Sequence, residues 1–298
     1  AATAATRDID TGATTIANAG LIEGIGGTLQ IDSAVTNTGT LLASNGALVL
    51  NSAITNAGLV SVTTGGTALL TGAITDAGGT LQLLDTGHLI LQGGSIAGGQ
   101  LHIAAPATAI VTQSGGTFDS LGVVNAGTLT IGGDGHYGFP GILHLAGAVT
   151  LTGGGHVTLA EQTNIQGTVA TQVITGGTLT NTDNTISGYG LLGGGAMALI
   201  NAAAGTIDAS AATLLIDAPT AAVANAGLLE ATTGGTLELR GVIDSTPGGH
   251  LTATAATILL DGAALKSGTV SMDAASALRL TTTGTLDGTG SPVTITAG

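Results

Sequence analysis

Apolar and polar residues alternate along this chain in short runs, and most runs stop at a pair of glycines. Thr67-Ala68-Leu69-Leu70-Thr71-Gly72-Ala73-Ile74 has the same pattern as Thr236-Leu237-Glu238-Leu239-Arg240-Gly241-Val242-Ile243. Ala68 and Leu70, like Leu237 and Leu239, fall on one side, and Leu69 and Thr71, like Glu238 and Arg240, on the other. A period of two is how a β-strand separates a buried side from a solvated one. His88-Leu89-Ile90-Leu91-Gln92 repeats the scheme with Leu89 and Leu91 inward and His88 outward. Gly65-Gly66, Gly78-Gly79, Gly93-Gly94, Gly176-Gly177 and Gly234-Gly235 bound the runs, because glycine takes the positive φ of a tight corner without steric cost. No segment sustains helical spacing.

The runs belong to a longer repeat. Asn-(Ala/Thr)-Gly recurs at Asn18, Asn37, Asn56, Asn125 and Asn225, with Asp76-Ala77-Gly78 as a variant. Equivalent glycines follow one another at about 17 to 22 residues along the whole chain, apart from one longer step between Gly98 and Gly127. A persistent period near 20 belongs to a solenoid, in which each repeat buries its apolar side against its neighbours. The prediction is an all-β fold: a parallel β-helix, or β-solenoid, of about 14–15 coils forming a single domain over 1–298. Its coils are irregular over about 99–141 and regular on either side. Asn18, Asn37, Asn56, Asn125 and Asn225 are assigned to corners, where Asn adopts left-handed backbone and stacked amides bond along the axis. The same tripeptides also read simply as turn signals.

Composition narrows the function. The 298 residues carry 4 Lys+Arg against 18 Asp+Glu, a net charge of -14, so the basic footprint that nucleic acid requires is missing. No apolar run approaches the roughly 18 residues of a membrane helix, so this segment is not expected to insert into a membrane. Without Cys there is no disulfide framework, and the 52 Gly lack the collagen period. Two Phe, two Tyr and no Trp leave a thin core of Leu, Ile, Val and Ala. The first residues show no basic-then-apolar leader, which reads as a mature form or an excised segment.

The unit Ala224-Asn225-Ala226-Gly227-Leu228-Leu229-Glu230-Ala231-Thr232-Thr233-Gly234-Gly235-Thr236-Leu237-Glu238-Leu239 resembles the β-strand repeats of bacterial surface proteins. These are the passenger domains of autotransporter-like and two-partner-secreted adhesins. Gly177 to Gly190 is similar to another recurring element of the same proteins. The resemblance implies export, a right-handed β-helix and an extracellular role at the bacterial cell surface; it implies no ligand.

Chemistry-bearing motifs are sparse. Gly133-Asp134-Gly135-His136-Tyr137-Gly138 and Gly188-Tyr189-Gly190-Leu191-Leu192-Gly193 match a dinucleotide fingerprint, but no helix follows either. Gly132-Gly133-Asp134-Gly135 is half of a calcium-binding nonapeptide and is not repeated. His88, His102, His136, His144, His156 and His250 lack metal-site spacing, so no metal and no cofactor is assigned. Asn181-Thr182-Asp183 looks like the first motif of polygalacturonases without its companion carboxylates, so no catalytic residue is assigned. The segment Gly132 to Gly141 breaks the alternation and holds Tyr137 and Phe139 beside Asp134 and His136. Irregular loops on a regular scaffold are where binding concentrates. Asp134, His136, Tyr137 and Phe139 are therefore the candidate contact residues for a glycan or protein on a host or other surface, against the alternative that the two aromatics plug a gap. The expected function is a non-catalytic stalk or adhesive segment. Its alternative is a fibre or surface-layer subunit that self-associates through open strand edges.

Overall fold

A computed structural model of the chain describes residues 5–133, 139–163, 169–194, 197–246, 248–281, 283–289 and 291–298. These residues form a parallel β-solenoid with three faces. The first face is a sheet of fourteen strands, from Thr6–Ile9 to Val293–Ala297, each pairing in parallel with the strand one coil away. Fourteen rungs enclose thirteen turns, slightly fewer than the glycine spacing predicts. The second and third faces join into one 22-stranded sheet. They join because strands such as Ile142–Thr152, Gln172–Asn181, Thr213–Asn225 and Thr236–Asp244 bend around the shared corner without a break.

Inward positions stack in register. On the first face Leu48, Ala68, Leu89, Ala109, Leu129 and Val157 form one buried row. On the second, Ile54, Ile74, Ile96, Phe118 and Leu145 do the same, and Phe118 is fully buried in place of an aliphatic residue. The core is one side chain deep from each face, which is how a chain with four aromatics fills it.

The glycine spacing predicts irregular coils at about 99–141. The first-face rungs Leu89, Ala109 and Leu129 are evenly spaced, and Phe118 sits in an ordinary strand. Length is added in the next two turns, from Leu129 to Val157 and from Val157 to Ile186. In the second of these the chain forms a short antiparallel hairpin, Gln162–Thr163 with Val169–Ala170. Both additions leave the first face and return at the start of the second, so they occupy one corner of two consecutive coils.

The Asn tripeptides mark two different corners. Asn18, Asn37 and Asn56 end second-face strands and lead into the third face. Asn125 and Asn225 end third-face strands and lead into the first. None of the five adopts left-handed backbone; among non-glycine residues that conformation falls at Asn45, Asp85, Ser120, Ala211, Thr233, Ala255 and Ser267. The Asn side chains point inward instead and are buried. The glycine of the tripeptide is required by crowding: a Cβ on Gly39 or Gly58 would press into the carbonyl of the glycine one coil below.

At the first of these corners Asn18 Nδ2 donates to Asn37 Oδ1 (2.7 Å), Asn37 to Asn56 Oδ1 (2.8 Å) and Asn56 to Asp76 Oδ1 (3.3 Å). Each Nδ2 also reaches a backbone carbonyl, of Thr40, Leu59 and Thr80 in turn. At the other corner Asn125 bonds Asn184, which is tied to Asn181, and the series continues through Asn201 and Asn225 to Ser245. The first ladder stops at Asp76, whose Oδ2 is buried without a partner among the described residues, because Gly98 follows it.

Two substitutions test the ladder. Asn37→Ala strips Asn56 Oδ1 of its donor and the Leu59 carbonyl of its bond, and should lower stability by about 1–3 kcal/mol in urea denaturation. Asp76→Asn replaces the orphaned oxygen by a donor and should raise the thermal midpoint. A lower midpoint for Asp76→Asn would show that the free oxygen is satisfied in solution.

Candidate interaction surface

The corner that carries the added length is the most distinctive part of the rod. Asp134, His136 and Tyr137 lie outside the described residues. Phe139 is described and is 62% exposed, so it does not plug the coil. Gln172, fully buried, anchors both additions at their base. Its Oε1 accepts the Gly141 N–H (2.6 Å) and its Nε2 donates to the Ala170 carbonyl (3.0 Å). Gly132 must be glycine here, since a Cβ would collide with the Gln172 amide.

One coil further on, the same corner is reduced to Tyr189, between Thr185–Gly188 and Gly190–Gly193. Beside it, on the outer side of the second face, lies a cleft of about 270 Å³ lined by Thr171, Tyr189, Gly190, Thr213, Leu215, Glu238 and Arg240. The register explains the grouping. Gln172, Gly190 and Leu214 are paired across three coils, which sets Thr171, Tyr189 and Thr213 in one row along the axis. Leu191, Leu215 and Glu238 form the next outward row, and Gly193, Asp217, Arg240 and Asp261 the one after. Arg240 Nη2 donates to Glu238 Oε1 (2.6 Å) and Nε to Asp261 Oδ2 (3.0 Å). Burial opposes the guanidinium charge, but Glu238, Asp261 and Asp217 together outweigh it and hold Arg240 above its ordinary value.

By alternation Glu238 and Arg240 are outward strand residues, and Tyr189 lies in a recurring element, but nothing in the sequence groups them. Only coil stacking brings them together. A wider groove of about 420 Å³ on the third face, lined by Gln82, Leu84, His102 and Val124 among others, has no Phe, Tyr or Trp and no charged pair.

The histidines are spread along the rod. His88, His156 and His250 share one outward rank of the first face with Thr67, Thr108, Thr128 and Thr185, several coils apart. His88 Nδ1 is hydrogen-bonded to Thr108 Oγ1, and burial lowers its pKa. Among the described residues no three His, Cys, Asp or Glu side chains converge to hold a metal ion.

No family model matches the chain, and no curated protein matches it. Among solved structures it is similar to a TibC-catalysed hyper-glycosylated TibA fragment, residues 55–350 of that protein. Identity is 13%, with 95% of this chain and 97% of that one covered, at a TM-score of 0.41.

Asp208 and Glu230 stack directly on the outer first face. Burial raises the Asp208 carboxyl against the opposing Thr232 hydroxyl; burial and then the Asp208 charge raise Glu230. A raised carboxyl adds stability only while protonated, so that contribution is complete below the ordinary carboxylate range and is lost as pH rises through the folded-state value. Glu230→Gln should therefore stabilise the rod at pH 7, by about 0.2–1 kcal/mol for a solvent-screened like-charge pair. The gain should fade below about pH 4, where both carboxyls are protonated. Urea denaturation at the two pH values checks it; a gain of equal size at both would remove the charge from the explanation.

Proposed function

We propose that this chain is a non-catalytic, extracellular β-solenoid segment of a bacterial surface adhesin, serving as a stalk or adhesive passenger. The observation that carries this reading is that the two longest turns of the rod, from Leu129 to Val157 and from Val157 to Ile186, both add their length at one corner. There, buried Gln172 braces two additions and Phe139 stands exposed. A rod of thirteen turns at about 4.8 Å per turn is about 60 Å long, enough to hold that corner away from its attachment. The acidic surface, at a net charge of -14, suits an extracellular location. Beads coated with the chain should adhere to epithelial cells or abiotic surfaces above albumin-coated controls. Phe139→Ala should at least halve that adhesion while leaving the thermal midpoint in place. Coated beads that adhere no better than albumin would overturn the reading.

A further inference from the structure

We propose that the cleft beside Tyr189 is a binding site for an uncharged sugar carrying vicinal hydroxyls, presented as part of a larger glycan. The inference rests on the surface-adhesion reading for its biological setting and on the cleft itself for its chemistry. Tyr189 provides a ring at one end, a flat apolar body with a polar tip, against which the C–H face of a pyranose packs. Leu215 lines the middle, and the hydroxyls of Thr171 and Thr213 flank Tyr189 on both sides along the axis. At the other end, two rungs and so about 10 Å away, stand Glu238 and Arg240. They offer an acceptor and a donor held in fixed relation by their 2.6 Å contact.

A carboxylate beside a guanidinium matches adjacent hydroxyls, each of which donates and accepts. Asp261 and Glu238 already clamp the guanidinium from two directions, so little side-chain freedom is lost on binding. Aromatic, apolar and paired polar groups thus converge in one concavity, the usual composition of a small-ligand site.

The charge of the surroundings selects against anionic sugars. Asp217, Glu238 and Asp261 surround the single guanidinium of Arg240, leaving the patch net negative on a chain that is itself at -14. Sialylated, sulphated or uronate-rich glycans meet repulsion there, and neutral hexoses do not.

The test uses the full chain against immobilised oligosaccharides ending in neutral galactose, glucose or mannose, with sialylated and sulphated versions in parallel. At least one neutral series should be retained and the anionic versions not. Tyr189→Ala and Glu238→Gln should each weaken retention at least tenfold, and Tyr189→Phe should restore most of it, all with wild-type melting curves. The proposal is overturned if no neutral sugar is retained, if the anionic versions bind better, or if Tyr189→Ala and Glu238→Gln bind like wild type. Bead adhesion measured on the same samples keeps the two readings apart. Adhesion without neutral-sugar retention removes the sugar site alone. Retention without adhesion leaves the site and removes the adhesin reading.

Discussion

Everything in this rod depends on each coil lying in register on the next. Parallel strands about 4.8 Å apart satisfy backbone N–H and C=O groups between coils, so no coil completes its own hydrogen bonding. That constraint also governs the corners. The Thr40 N–H bonds the Gly20 carbonyl and the Leu59 N–H the Gly39 carbonyl, one coil below in each case. Buried amides follow the same rule: a lone Asn in this thin core would be orphaned, whereas Asn18, Asn37 and Asn56 pair because each has a copy of itself one coil away. The ladder is stable only as a series, and it frays where Gly98 follows Asp76.

The same register makes electrostatics one-dimensional. An outward charge meets, above and below, whatever the adjacent coils place at its position. Asp208 and Glu230 meet as like charges; burial raises both carboxyls, and the Asp208 charge adds to the rise at Glu230. Asp217, Arg240 and Asp261 alternate in sign, as do Asp244, Lys266 and Asp287. Two of the four basic residues are thus spent between acids within the C-terminal coils. That arrangement turns a charge-poor sequence into a few local clusters on an acidic rod, and the cleft beside Tyr189 lies at one of them.

A regular scaffold also gives its exceptions a direction. Additional residues between coils can only bulge outward at a corner, since the faces and core are occupied. Here two successive turns are lengthened at the same corner, and Gln172 ties the base of both to the core through its two amide atoms. The third turn returns to a single residue, Tyr189. Hairpin, exposed Phe139 and cleft therefore lie along one edge of the rod.

The sequence by itself determined the strand alternation, the period near 20, the thin aliphatic core and the acidic surface. Each of these is local: Ala68 and Leu70, or Leu237 and Leu239, are inward because period two leaves no other way to bury them. What the sequence could not assign was phase. Residues 67–70 and 236–239 align residue for residue, yet the first four run on the first face and the second four on the second. Likewise Asn56 and Asn225 carry the same tripeptide to different corners. A strand-and-corner unit fits any face of a three-sided coil, so its place depends on how many residues precede it around each turn. The long turns do not set it, since Asn125 already stands at the later corner before they begin. Only the stacked structure decided which outward residues meet across coils, because Tyr189, Glu238 and Arg240 become neighbours through register and not through sequence.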